Sequence, residues 1–221
     1  MILGDGKLRF ANYYRNHMVL QRAPQRAAVW GYTDIFNASI TLTLNGNVYH
    51  TFSSPSSTEN QSIWSITLDA QTEEGPFQIN VTQLSNETLT NITLEDVLFG
   101  DVWVCSGQSN MEMPVSKILN GSIEIANAGK YPKIRLLTPA NVQSDVPVEE
   151  PHGIAVNWQL ASPETVGLIT TSAVCWLYGR MVHEALGGRP LGLLHSSWGG
   201  TRIEFWSPPQ VLKDCGISWS V

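Results

Sequence analysis

The stretch Val102-Trp103-Val104-Cys105-Ser106-Gly107-Gln108-Ser109-Asn110-Met111 decides how the rest of this 221-residue chain is read. Its first four residues form a continuous apolar run, the pattern of a strand buried on both faces of a parallel sheet. A turn follows, in which Gly107 supplies the backbone freedom that a tight strand-to-helix junction needs. Ligands of open α/β sheets sit at the carboxyl ends of the strands. Ser109 therefore stands where a hydroxyl is held out of the sheet, beside a helix N-terminus whose partial positive charge favours an oxyanion. Two readings of Ser109 stay open on these residues alone, a nucleophile and an ordinary N-cap. The G-x-S-x-G elbow of the α/β-hydrolases is not matched, because Met111 occupies the second position after Ser109.

Toward the carboxyl end, a helical stretch with Pro114 near its start is expected next. A second apolar run, Ile134-Arg135-Leu136-Leu137, follows Gly129 and Pro132. The spacing of Ala173, Val174, Leu177, Tyr178, Met181, Val182, Ala185 and Leu186 predicts a helix over Ser172 to Leu186 with a wide apolar face. Ser172 is its expected N-cap, Gly187-Gly188 its stop, and His183 a surface residue on it. Leu191-Gly192-Leu193-Leu194 reads as a third buried strand. It runs into a second cluster, His195-Ser196-Ser197-Trp198-Gly199-Gly200-Thr201-Arg202-Ile203-Glu204. The paired glycines let backbone N–H groups approach a ligand, as an oxyanion hole requires, and they also suit an ordinary turn. Strand, helix, strand, helix, strand is a βαβ series, and both clusters close the same edge of its sheet.

Toward the amino end the grammar is different. Val19-Leu20, Ala28 to Trp30, Ile40 to Leu44, Val48 to Phe52, Ile63 to Leu68, Phe77 to Val81 and Ile92 to Val97 read as short strands. Several of them alternate with the period of a half-buried strand. Asn45-Gly46 is a strong hairpin signal, and Ser53 to Ser62 reads as a solvated loop. The expected architecture is mixed: an antiparallel β-sandwich-like domain over residues 1–97, then part of an α/β parallel-sheet domain over 98–221. With only three sheet strands before Val221, the sequence reads as a piece of a longer enzyme.

Composition narrows the function. Thirteen basic against 19 acidic residues give a net charge of −6, which argues against a nucleic-acid footprint. No stretch approaches 18 consecutive apolar residues, so no membrane span is expected. No His or Cys pair stands at ligand spacing, so neither metal nor cofactor is called for, and Glu149-Glu150 reads as a solvated connection. Three cysteines are too few for a disulfide framework, and Cys105 and Cys175 read as buried thiols. The N-x-S/T pattern occurs at Asn37, Asn60, Asn80, Asn86, Asn91 and Asn120, against about two expected by chance. That excess points to a secretory or lysosomal history, while the first residues hold no signal-peptide pattern and leave a cytosolic form open.

Gly100-Asp101-Val102-Trp103 with Ser106-Gly107-Gln108-Ser109-Asn110-Met111 resembles the sialate O-acetylesterases, within the wider SGNH (GDSL-like) hydrolases. Ser196-Ser197-Trp198-Gly199-Gly200-Thr201 resembles their second block, and Met18-Val19-Leu20-Gln21 the opening of their β-rich amino-terminal domain. A match such as Ser-Gly-Gln-Ser-Asn arises by chance on the order of once in ten thousand chains this long, at roughly 5% usage per residue type. The resemblance implies a three-layer α/β/α hydrolase domain and a Ser-His-Asp type esterase that removes O-acetyl groups from sialic acids. Ser109 matches the nucleophile, and its N–H with those of Gly199 or Gly200 the oxyanion donors. The family's late Asp-x-x-His segment has no counterpart in these residues. A serine hydroxyl needs an imidazole to take its proton, and among the five histidines His195 alone is placed to approach Ser109, as a pocket-lining residue. Gln108, Asn110, His195 and Arg202 are the expected pocket residues, with Arg202 or Arg180 facing a sialic acid carboxylate. Two other readings stand beside this one: a catalytically silent sugar-binding or regulatory protein, and an acetylesterase for another acetylated polysaccharide.

Overall fold

The computed structural model describes residues 8–56, 61–85, 88–144, 146 and 148–216. It is mostly sheet, and its strands fall into two sheets of different character. In chain order they are β1 (Arg9–Phe10), β2 (Val19–Gln21), β3 (Ala28–Thr33), β4 (Ser39–Leu44), β5 (Asn47–Phe52), β6 (Ser54–Pro55), β7 (Ser62–Thr67) and β8 (Phe77–Ser85). There follow β9 (Thr88–Gly107), β10 (Ile134–Pro139), β11 (Ile154–Leu160) and β12 (Leu191–Ser197). The helices are α1 (Ser109–Glu112), α2 (Gly121–Asn127), α3 (Pro163–Val166), α4 (Ala173–Ala185) and α5 (Pro209–Asp214). One sheet is antiparallel, in the order β1-β3-β7-β6. The other is mixed, in the order β11-β10-β12-β9-β8-β4-β5, with β2 also against β9.

Strand β9 carries the architecture. Its first half pairs antiparallel with β8, and Asp101 to Gly107 pair in parallel with Leu191 to Ser197 of β12. Residue 97, where the sequence changes grammar, lies inside this strand, so the two halves of the chain share it. The backbone turns there through Asp96, which has φ 52°. The Asp96 carboxylate accepts from Nη1 of the buried Arg135 at 2.7 Å and contacts His17 Nδ1 at 2.7 Å. Burial alone would raise the Asp96 pKa; the hydrogen bonds from Arg135 and His17 outweigh it and hold the group below its ordinary value.

Two apolar cores fill the structure. The first joins Val29, Ile40, Leu42, Trp64, Ile79 and Phe99, and reaches across to Leu137 and Trp158. The second joins Val115, Ile134, Val166, Trp176 and Leu193 around α4. The Asn45-Gly46 hairpin closes with both residues at positive φ, as a type I′ turn requires.

Several expectations are corrected. Val102 to Cys105 is not buried on both faces, since Trp103 is 40% and Val104 65% exposed. From Asp101 to Gly107 the strand pairs with β12 alone among the described residues, and the apolar-run rule presumes cover on both faces. The helix after Ser109 stops at Glu112, before Pro114, and a 3-10 turn over Val115–Lys117 precedes α2. Strand β11 is an unforeseen antiparallel edge strand, because its pairing with β10 slips twice and blurs the alternation. Helix α4 buries Ala173, Cys175, Trp176, Gly179 and His183, leaving Val174, Tyr178 and Met181 exposed, so its buried face is narrower than the spacing predicts. His183 is buried because its Nδ1 meets the Arg189 carbonyl at 2.6 Å. Ser53 is buried too, its hydroxyl bridging Ile35 and Ala38. Glu149 and Glu150 are not a plain solvated connection: they take Tyr32 Oη at 3.0 Å and Arg9 at 3.0 Å.

Candidate active site

The parallel register of β9 and β12 sets Ser196 opposite Ser106 and Ser197 opposite Gly107, so both strands end together. Just beyond, Trp198 N–H donates to the Gly107 carbonyl at 3.0 Å, which joins the two exit turns. Gly107 has φ 144°, a conformation that side-chain-bearing residues rarely adopt. The chain then enters α1. Its N-cap is Gln108, with no side-chain cap bond, so Ser109 does not serve as the cap. Ser109 is exposed, and its hydroxyl donates to Gln108 Oε1 at 2.5 Å.

The glycine turn comes against this helix. A Cβ placed on Gly199 would lie 3.9 Å from Ser109 Cα and 2.4 Å from Glu112 Oε2. The Gly199 N–H is engaged, donating to Glu112 Oε2 at 2.8 Å. Gly200 has φ 79° and open space at its Cα. Sequence reasoning missed Glu112, although its place one helical turn after Ser109 puts it on the same face.

A covalent tether braces this corner. Cys105 and Cys175 form a disulfide with Cα atoms 5.8 Å apart, where buried thiols were expected. Seventy residues of sequence conceal a proximity that arises only because α4 packs on β12 and β12 pairs with β9. Nearby, Ser172 caps α4 by accepting from Cys175 N–H at 3.1 Å, and Ala173 N–H donates to the Met113 carbonyl at 2.8 Å. The segment leaving α1 is thus stitched to the start of α4.

A cavity of about 480 Å³ opens beside Ser109, lined by Glu112, Asn141, Thr170, His195 and Ser197 with apolar residues including Ile169. His195 is buried on the same cavity as Ser109. Its Nε2 lies 2.7 Å from Ser197 Oγ and its Nδ1 2.8 Å from the Thr170 carbonyl. Burial pushes the imidazole below the usual histidine value, against the opposing pull of the Thr170 and Met111 carbonyls and the Glu112 charge. Ser197 escaped the sequence reading, yet two residues along one strand place it on the face of His195.

Other expected residues stand apart. Gln108, Asn110 and Arg202 are exposed around the glycine turn and α1, outside the cavity wall. Arg180 is held by Glu124 at 3.2 Å and Glu184 at 3.0 Å on α4, so it does not face this cavity. Asn37, Asn91 and Asn120 are exposed; Asn80 is half-buried and accepts from the Thr93 hydroxyl at 2.8 Å. Asn60 and Asn86 lie outside the described residues. Among the described residues no three His, Cys, Asp or Glu side chains gather as a metal site, and no helix is long and apolar enough to cross a membrane.

No protein-family model matches the chain. Curated relatives do. It is 38% identical over 213 residues to the sialate O-acetylesterase of Homo sapiens, covering 95% of this chain and 40% of that protein. The sialate O-acetylesterase of Rattus norvegicus matches at 38% over 213 residues, covering 95% of this chain and 39% of the relative. Among solved structures, a carbohydrate acetylesterase from Xanthomonas citri superposes with a TM-score of 0.80 at 28% identity, over 93% of this chain and 44% of that one. Along 95% of its own length the chain is a homologue of the sialate O-acetylesterases, of whose length it spans about two fifths.

Proposed function

We propose that these residues carry the nucleophile side of an O-acetylesterase site, with Ser109 as the attacking hydroxyl and an acetylated sugar as substrate. The observation that supports it most is the approach of the Gly199-Gly200 turn to Ser109 at the joined ends of two parallel strands. In this reading Ser109 Oγ attacks the acetyl carbonyl, and the sugar oxygen leaves as an alcohol. Water then releases acetate from the acyl-serine. The N–H groups of Ser109 and Gly200 steady the oxyanion, since the Gly199 N–H is given to Glu112. The Ser109 hydroxyl donates to an amide oxygen, which is no base and leaves the proton on the serine. Its acceptor comes from the Asp-x-x-His segment that the family resemblance implies outside these 221 residues. The finer reading takes residues 98–221 as the first part of a three-layer α/β/α SGNH domain and O-acetylated sialic acid as the substrate, with Arg202 facing its carboxylate. A lysosomal or secreted location fits the Cys105–Cys175 disulfide and the exposed sequons at Asn37, Asn91 and Asn120.

The test is turnover of O-acetylated sialic acid and of acetylated neutral sugars by the 221-residue chain and by a form extended through that segment. Ser109→Ala in each is the control. Turnover by the extended form that Ser109→Ala abolishes upholds the reading, and preference among the sugars sets the substrate. Turnover that survives Ser109→Ala refutes it. The Gln108 bond to Ser109 favours one second reading, a sugar-binding protein without turnover, for the 221-residue form; hydrolysis by that form would end it.

A further inference from the structure

The cavity beside Ser109 contains a second serine hydroxyl, that of Ser197, and its surroundings differ in kind. The Thr170 carbonyl can only accept, so the 2.8 Å contact places the proton of His195 on Nδ1. Nε2 is then a bare lone pair, and the 2.7 Å contact is the Ser197 hydroxyl donating into it. This is a hydroxyl–imidazole–acceptor relay in which a backbone carbonyl holds the place usually taken by a carboxylate. Both side chains are buried, and both line the cavity. The hydroxyl of Thr170 is buried with no hydrogen-bond partner among the described residues, which leaves a donor for a ligand oxygen. Asn141 fixes the backbone by donating from Nδ2 to the Ser197 carbonyl at 3.0 Å. Met113, Pro114, Pro139, Ala155 and Ile169 add apolar wall beside Ser109, Glu112 and Thr138, and the Glu112 carboxylate disfavours an anionic ligand, so the lining suits a small uncharged acyl group.

We propose that Ser197, polarised by His195 and the Thr170 carbonyl, is a second nucleophilic hydroxyl of this cavity and accepts small acyl groups from esters independently of Ser109. The bond from Ser197 Oγ to the acyl carbon forms as the carbon–oxygen bond of the ester breaks. The Oγ proton passes to His195 Nε2 and from there to the departing alkoxide, which leaves as an alcohol. Water, with its proton taken by the same Nε2, then frees the carboxylic acid and restores Ser197. Burial keeps Nε2 unprotonated between turnovers, while the carbonyls of Thr170 and Met111 and the charge of Glu112 favour the imidazolium when it forms.

A fluorophosphonate probe reads this directly, since Oγ–P forms, fluoride leaves and the proton departs through His195. The 221-residue chain and its Ser109→Ala variant are labelled, and the adduct is located by peptide mass spectrometry. A wild-type melting transition certifies the fold of the variant. The expected result is an adduct on Ser197 in the Ser109→Ala chain, formed about 100-fold more slowly when His195→Asn is added, the loss typical of removing a general base. A folded Ser109→Ala chain with no adduct at Ser197 overturns the proposal. So does an adduct at Ser197 whose rate is unchanged in folded His195→Asn protein. Labelling of Ser109 in the wild-type chain bears on the proposed function alone, so the two readings fail separately.

Discussion

Breaking the Cys105–Cys175 disulfide perturbs this structure at its most informative point. The two residues are 70 apart in sequence, so the bond closes a long loop in the unfolded chain. The chain-entropy relation for a loop of that length gives a stabilisation of about 4 kcal/mol. Both residues are buried, and they join the end of β9 to the first turn of α4. The appropriate assay is urea unfolding followed by tryptophan fluorescence, with and without a phosphine reductant, together with the Cys105→Ala/Cys175→Ala chain in parallel. At a slope of about 2 kcal/mol/M the midpoint falls by about 2 M on reduction. The double variant falls by a similar amount, because two small side chains leave little extra cavity. Midpoints that agree within about 0.3 M across oxidised, reduced and doubly substituted protein would refute the loop-closure reasoning and the pairing with it.

Asp96→Asn keeps the left-handed backbone that Asn tolerates but leaves the buried Arg135 without its anion, at a cost of about 3 kcal/mol in urea unfolding. Because the fold depresses the Asp96 pKa from 3.8, this contribution is full above that pH and is lost as pH falls through the lower folded value. Wild type and variant should therefore converge in strongly acidic buffer and diverge at neutral pH. Gly199→Ala puts a methyl 2.4 Å from Glu112 Oε2 and should push the carboxylate off the turn. The expected outcome is about a tenfold slower fluorophosphonate labelling of Ser109 with little change in melting temperature, and an unchanged rate would count against the turn's part in the site. Trp176→Ala empties a fully buried position in the second core and should cost about 4 kcal/mol, or roughly 8–16 °C in Tm by calorimetry.

The longer strands of the first half were legible because each is a local event, whereas the two-residue β1 and β6, the latter inside the expected loop Ser53 to Ser62, exist only through their pairing with β3 and β7. Ile40 to Leu44 alternates, Asn45-Gly46 has the two residues a type I′ turn needs, and pairing follows from the turn. Ser172 and Gly187 likewise announce the ends of α4 in chemistry that acts within four residues. What stayed hidden depends on neighbours far along the chain. Cys105 and Cys175 meet only after β9, β12 and α4 have assembled, and no spacing rule spans that assembly. The same holds for Trp103 and Val104, whose apolar run signals full burial while their exposure is set by which strand and helix lie beside them.

The candidate site divides along the same line, and the division explains why a motif names a nucleophile more readily than its partner. Ser109 and the glycine pair are recognisable because the backbone makes them: a turn at Gly107 and an open Gly200 are needed wherever such a site is built. The partner of a hydroxyl is chosen by side chains from several elements. Here the only imidazole on the cavity among the described residues turns its acceptor nitrogen to Ser197, while Ser109 leans on Gln108. The Gly199 amide goes to Glu112, which no oxyanion motif anticipates, though α1 carries it one turn from Ser109. The two serine hydroxyls on this cavity, one at the motif and one on the base, are chemically unequal, and the inequality lies in where their hydrogen bonds go. A proton shared with an amide stays on the serine; a proton donated to a bare imidazole nitrogen is already part-way to transfer.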